Sequence, residues 1–305
     1  MSAAALLTDE ELERLRQQTL EHWQREIRRS ALPQAGPFPS LLRGQGLEIH
    51  DRRPYQPGDD VRHLDWRATA RSNHPLSKVF LEERGRSLFL LIDRRPSLRF
   101  GSHQEAKAAC AARIAAILAF TALSSGERVG GMVLEEAPHL YPAAGTGDQI
   151  FPLLQAAATP FTDQESPPPS LLPLWPEIAR HCSAGTDLCL ISDFHDLDDF
   201  PPATLRALNG NCAIHAFQVK DRGEASLPDI GLLRLRTPAG GTVVVDSADA
   251  ALRRRYARRM AQQQGELARI LASAAIPLCM VYNHLDTFRQ LTLTLHYEGG
   301  HDTSP

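Results

Sequence analysis

Apolar positions run without alternation from Leu88 to Ile92 and stop at Asp93, which predicts a short strand buried on both faces, as in the centre of a parallel sheet. The polar stretch after it gives way to helical spacing. Ser102 to Glu105 reads as a capping box, and Ala106, Cys110, Ile114, Ile117, Leu118 and Thr121 line one side of a helix. Upstream, Thr8 to Arg29 predicts an amphipathic helix, with Thr8 and Glu11 as its capping box and Leu12, Leu15, Thr19, Trp23 and Ile27 as its stripe. Lys78 to Glu83 reads as a strand beside the Ser87 strand. Further strands are expected at 128–134, 139–141, 186–193, 213–219 and 277–282, with helices at 150–157, 171–182, 204–208 and 247–274. Residues 232–236 and 242–246 form a hairpin through Pro238 to Gly241. The pattern predicts an α/β, doubly wound, mostly parallel sheet. The chain divides into an N-terminal helix and lid segment (1–85), a core (86–220), and a hairpin, long helix and closing strand that complete the core (221–305).

Composition narrows this picture. The 305 residues are 43% hydrophobic and 23% charged, with a formal net charge of -3. That balance fits an ordinary globular chain and argues against a general nucleic-acid binder. Five cysteines are scattered without a C-x-x-C pair, which predicts buried, reduced thiols. The N-terminus lacks a basic region followed by an apolar core, and the apolar window from Ala108 to Leu123 carries Arg113 and is too short to span a bilayer. A soluble, cytoplasmic protein without membrane insertion is expected.

Ligands of doubly wound folds sit beyond the carboxyl ends of the strands. Two strands here end on carboxylates, Asp93 and Asp193. Residues 47–71 add an unusual density of opposed charge around Tyr55 and Trp66: Arg52, Arg53, Arg62, Arg67 and Arg71 against Asp51, Asp59, Asp60 and Asp65. This segment reads as a folded-back lid, as a recognition surface, or as both, because Arg and Trp are the types that carry binding energy. The long helix shows an arginine face, Arg253 to Arg259, read as solvated, with an anionic partner surface, nucleic acid included, as the alternative. His195 reads as a solvated loop histidine.

Asp93-x-Arg95-x-Ser97, Gly145-Thr146-Gly147 and Asp193 together resemble the metal-ion-dependent adhesion site of von Willebrand factor A domains. That site uses Asp-x-Ser-x-Ser, a Thr and a later Asp. The resemblance implies Asp93, Ser97, Thr146 and Asp193 as ligands of Mg²⁺. Arg95 replaces a serine. Its charge would oppose a divalent ion by about 8 kcal/mol at 4 Å and an effective dielectric near 20, against the roughly 4 kcal/mol of a millimolar site. Arg95 therefore either pairs with Asp93 or Asp193 as a built-in cation, or swings outward and leaves a weakened site. No cofactor is expected, and any Mg²⁺ would be weakly held.

A wider set of residues resembles the bacterial family known as domain of unknown function 58: Gly44-x-Gly46, Arg53-x-Tyr55-x-Pro57-Gly58-Asp59, Asp65-Trp66, Ala70-Arg71, Glu82-x-Arg84, the first strand, and the C-terminal hairpin and arginine-rich helix. Departures are Arg95 for Ser and Leu98 for the usual Met. The resemblance implies a von Willebrand factor A-type core that works as a non-enzymatic adaptor or chaperone partner of a MoxR-type AAA+ ATPase and a protein client. Arg53, Tyr55, Asp59, Asp65, Trp66 and Arg71 would then be partner-binding. The alternative is a metal-assisted phosphoester hydrolase using Asp93 and Asp193, with His195 as base. For that reading the chain supplies neither a P-loop nor a Gly-x-Ser-x-Gly elbow.

Overall fold

The computed structural model describes residues 6–29, 51–54, 76–79, 86–102, 105–135, 137–161, 170–236 and 241–298. Strand β3 (Ser87–Asp93) is central because both its faces are apolar. Leu88, Leu90 and Ile92 enter one core cluster, Phe89 and Leu91 the other, and all five are buried. Its sheet has six strands, in the order β10 (Leu278–Tyr282), β7 (Ala213–Lys220), β6 (Thr186–Ser192), β3, β4 (Arg128–Leu134) and β5 (His139–Ala144). The first five are parallel, and β5 is an antiparallel edge.

Helices cover both faces. On the Leu88 side lie α1 (Asp9–Arg29), α2 (Lys107–Ser124), α3 (Gly147–Ala158) and α7 (Thr287–Glu298). On the Phe89 side lie α4 (Trp175–His181), α5 (Pro202–Asn209) and α6 (Ala250–Ser273). The doubly wound α/β arrangement is thus present. The capping box of α1 forms as expected, with Thr8 N–H donating to Glu11 Oε2 (3.0 Å) and Glu11 N–H to Thr8 Oγ1 (3.1 Å). Leu12, Leu15 and Thr19 of its stripe are buried. Helix α2 is apolar enough to cross a membrane, with a mean hydropathy of 1.5, but 83% of it is buried inside the fold, as a core helix requires. All five cysteines are free and buried.

Two local expectations fail. The Ser102–Glu105 capping box does not form. The Ser102 hydroxyl donates to Asp221 and Glu105 pairs with Arg113, so α2 begins at Lys107 after Ala106, without a side-chain cap. The strand expected at Lys78 is also not beside β3, whose two neighbours are β4 and β6. Instead β2 (Leu76–Val79) pairs antiparallel with β1 (Asp51–Pro54) in a separate ribbon, where Arg53 lies opposite Ser77. The hairpin of β8 (Leu232–Arg236) and β9 (Thr242–Asp246) forms with the expected strand bounds, and pairs Arg234 with Val244.

A buried ionic cluster closes the edge where the parallel strands begin. Arg86 Nη2 donates to Asp187 Oδ2 (3.0 Å), and its Nε lies 3.6 Å from Glu127 Oε1. His215 Nε2 lies 3.4 Å from the other oxygen of Asp187. Glu127 is 5% exposed and its Oε2 meets no donor. Burial pushes its carboxyl up to about 7; Asp187 adds to that and Arg86 opposes it. An acid whose folded pKa is raised disfavours the fold once it ionises, so this contribution to stability falls as pH rises from about 4.5 through 7. After solvent screening the loss is about 1–3 kcal/mol. Urea unfolding at pH 5 and pH 8 should show this decline in the wild type and a flat profile in Glu127→Gln. An equal decline in the variant would remove Glu127 as its source.

Candidate functional site: a rim of strand-end acids neutralised from within

All five parallel strands stop at the same rim, and each ends on, or is followed by, an acid or amide: Asp93 after β3, Glu135 after β4, Asp193 after β6, Asp221 after β7 and Asn283 after β10. Alignment in a parallel sheet makes these side chains neighbours. The chain supplies partners for each.

Asp93, 2% exposed, is held by Arg95. The Arg95 Nε lies 3.1 and 3.2 Å from the two carboxylate oxygens, Nη2 donates to Oδ2 at 2.9 Å, and the Arg95 main-chain N–H donates to Oδ1 at 2.9 Å. Ser192 Oγ adds a fourth donor at 2.7 Å. The fork geometry of a guanidinium permits this two-oxygen grip, where an ammonium would act as a point charge. The remaining arm, Nη1, pairs with Asp199. Asp199 in turn accepts from Ser170 Oγ (2.7 Å) and Leu171 N–H (2.9 Å), and its main-chain oxygen accepts from Trp175 Nε1 (2.8 Å). Burial works against the Arg95 charge, but Asp93 and Asp199 outweigh it and hold its pKa above the ordinary arginine value.

Asp193 is served by a different cation. Lys107, the first residue of α2 and 1% exposed, places Nζ 2.6 Å from Asp193 Oδ2 and also pairs with Glu224. Burial penalises this ammonium, yet the two carboxylates raise its pKa. For Asp193 burial acts upward, but Lys107, a hydrogen bond from Ser97 and the His195 main-chain N–H (3.1 Å) bring the net shift below the usual carboxylate value. The turn that delivers that N–H needs Phe194 at φ 53, a left-handed conformation that a residue with a side chain adopts only at a cost. Packing maintains it. The Phe194 ring is buried 4.8 Å from the Phe200 ring, and its N–H donates to Ser192 Oγ (2.9 Å).

The flanks repeat the theme. Arg94 is buried, pairs with Glu135, donates to the carbonyls of Ala157 and Thr159, and lies over the Phe161 ring at 4.8 Å. Asp221 accepts from Ser102 N–H (2.8 Å), Gly223 N–H (2.7 Å) and Asn283 Nδ2 (2.7 Å). Burial opposes its charge, but these donors and the Ser102 hydroxyl lower its pKa.

Of the expected ligand set, Asp93, Ser97 and Asp193 therefore meet at one rim. Thr146 does not. The register pairs Ala144 with Val129 near the start of β4, and β5 runs antiparallel, so Thr146 follows it at the opposite edge of the sheet. A seven-residue strand separates the two edges by roughly 20 Å. Arg95 takes the inward course, but its second carboxylate is Asp199 rather than Asp193. The His195 ring does not meet Asp193; its main-chain N–H does, and the residue is exposed. Tyr55, Asp59, Asp65, Trp66 and Arg71 lie outside the described residues, and Arg53 is described only as backbone of β1. Lys107, Ser192, Asp199 and Glu224 were not foreseen. Lys107 had a signal: it is one of three lysines among 33 basic residues, and it heads an alanine-rich apolar helix where a solvating charge has no place.

These residues do not fit Mg²⁺. A divalent ion needs several carboxylate and hydroxyl oxygens with free lone pairs, whereas Asp93 and Asp193 each already carry a buried cation at contact distance. Among the described residues no three His, Cys, Asp or Glu side chains converge as a metal site. Two fixed positive charges stand where the ion's charge would be required.

A family model described as a protein of unknown function, DUF58, matches residues 51–266. The chain is 31% identical over 240 residues to the uncharacterized protein Rv1480 of Mycobacterium tuberculosis, a match covering 78% of this chain and 75% of that protein. The uncharacterized protein YeaD of Bacillus subtilis is 31% identical over 99 residues, 32% of this chain and 23% of that protein. Among solved structures, the conserved hypothetical protein BatB from Bacteroides thetaiotaomicron aligns with a TM-score of 0.44 at 14% identity, covering 70% of this chain and 98% of that one. An aerotolerance-related membrane protein from Bacteroides fragilis aligns with a TM-score of 0.40 at 14% identity, covering 70% of this chain and all of that one, 100%.

Proposed function

Because the chain belongs to the family described as proteins of unknown function, DUF58, we propose that it is a non-enzymatic interaction module of von Willebrand factor A type. In this reading it serves a MoxR-type AAA+ ATPase as an adaptor, and its strand-end rim is organised by internal cations in place of a metal ion. The observation that carries the reading is the saturation of the rim. Asp93 and Asp193 are both buried and both engaged by a cation and by further donors. A general base needs a lone pair within reach of a substrate proton, and a nucleophilic carboxylate needs an open face. Neither aspartate has one, which supports a binding role over the hydrolase alternative. Rigid, internally neutralised ionic networks instead suit a surface whose loops must hold one shape for a partner. The partnership rests on the family resemblance. Affinity capture from a native lysate in the presence of ATP is expected to enrich a MoxR-type ATPase, and recovery of none under those conditions would count heavily against the adaptor role.

A further inference from the structure

Helix α6 is 24 residues long; its fully buried side chains lie in its later part, and the first half turns Leu252, Tyr256 and Met260, all half-buried, toward the fold. Leu267 and Leu271 are buried, and Gln263 Nε2 reaches the rim by donating to the His195 carbonyl (2.7 Å). At 1.5 Å per residue, the part of the helix before Gln263 extends roughly 20 Å past that contact. The outer side of this half carries Arg254, Arg255, Arg258 and Arg259, all exposed. Their i, i+4 spacing gathers them on one side. No acid interrupts the helix before Glu266, and none of the four is ion-paired among the described residues.

The β8–β9 hairpin joins the helix start at Ser247, whose N–H and Oγ both donate to the Gly231 carbonyl (2.7 Å) and whose Oγ accepts from Ile230 N–H (3.3 Å). Exposed aliphatic side chains stand there: Ile230 at 67%, Leu232 at 76% and Val244 at 58%. Leu232, Arg234 and Val244 share one face of the hairpin, and Arg234 is exposed among them. The local acids are engaged at home. Asp229 pairs with Arg253 (3.1 Å), Asp246 accepts from Ala248 N–H (2.9 Å), and Asp249 caps α6 through Ala251 N–H (2.7 Å).

We propose that the hairpin and the exposed arginine side of the first half of α6 form a reversible docking surface for an anionic lipid bilayer. Ile230, Leu232 and Val244 enter the acyl boundary, and the arginines rest on headgroup phosphates. Charge complementarity selects an anionic occupant: a concentrated basic patch stands on a chain whose net charge is -3. The apolar component selects lipid. Interface cores between proteins are rich in aromatic residues and Met, and single-stranded nucleic acid is held by aromatic stacking. The exposed side chains here are Ile, Leu and Val, which a hydrocarbon phase accepts without the shape complementarity that a protein interface requires. An apolar insert together with a basic patch supplies the two signals that peripheral anchoring requires.

Flotation of the full chain with vesicles tests this. With phosphatidylcholine containing about one-third phosphatidylglycerol the protein should float, and with phosphatidylcholine alone it should stay behind. Each arginine is worth about fivefold in partitioning, so Arg255→Gln with Arg259→Gln should lose roughly 25-fold. Leu232→Ser with Val244→Ser should bind only at low salt. Unchanged urea midpoints would show that these surface variants remain folded. No flotation with anionic vesicles, or equal flotation of wild type and the arginine variant, would overturn the proposal. So would tighter binding to duplex DNA that the hairpin variant leaves untouched, which would assign the face to nucleic acid.

Discussion

Urea unfolding of Lys107→Met is expected to give a free energy about 3–5 kcal/mol below wild type, the usual cost of removing one partner from a buried ion pair. Methionine keeps the length and apolar stem of the lysine, so the loss would be electrostatic. Asp193 would be left ionised and 8% exposed, facing Glu224 without the ammonium between them. The pH dependence carries the sign. Asp193 has a lowered pKa in the native wild type, and so contributes stability that is present above its ordinary value and lost as pH falls through the folded one. In the variant, burial no longer meets opposition from Lys107 and the shift reverses, so the deficit should narrow as the medium is acidified. Adding Asp193→Asn should recover part of the loss by deleting the orphaned charge. A deficit below about 1 kcal/mol at neutral pH would show that the ammonium is not buried against Asp193.

The second large effect is expected at Arg95. Arg95→Ser restores the hydroxyl of the adhesion-site pattern and removes the only side chain that bridges Asp93 and Asp199 among the described residues. Both aspartates are buried, at 2% exposure each, so a loss of about 3–5 kcal/mol is expected here as well. The two aspartates retain neutral donors, Ser192 to Asp93 and Ser170 to Asp199, which keeps the deficit from growing further. Calorimetric titration with Mg²⁺ should give no heat from the wild type and none from Arg95→Ser, because Lys107 still occupies Asp193. Heat from the variant alone would show that Arg95 by itself excludes the ion; heat from the wild type would overturn the built-in-cation reading.

The central strand and its parallel neighbours were legible because buried strands announce themselves as short, unalternating apolar runs, and the exposed hairpin because two β-rich runs flank the Pro238 to Gly241 turn. Asp93 and Asp193 were legible because each follows such a run. What the sequence concealed were partners far along the chain. Asp199 lies 104 residues from Arg95, and Glu224 lies 117 residues from Lys107. Only folding brings them together, and no spacing rule encodes them. Thr146 misled for a related reason: the Gly-Thr-Gly loop is correctly a helix entrance, but the antiparallel direction of β5 carries it to the wrong edge. Helix α7 went unassigned, since the Leu–Thr alternation from Leu291 to Leu295 has a strand-like period. Tertiary contacts decide it. Leu291 is fully buried, and the Gln290 side chain bonds both Tyr282 N–H (2.9 Å) and Tyr282 O (2.9 Å), closing part of the exposed β10 edge.

Fixing the positive charge of the rim in covalent side chains has a consequence for how the molecule can be controlled. Chelators cannot strip a guanidinium, and starvation for divalent ions cannot empty the seat that Lys107 fills. A rim built around a loaded metal answers to ion supply, whereas the charges of Arg95 and Lys107 are in place from the moment the chain folds.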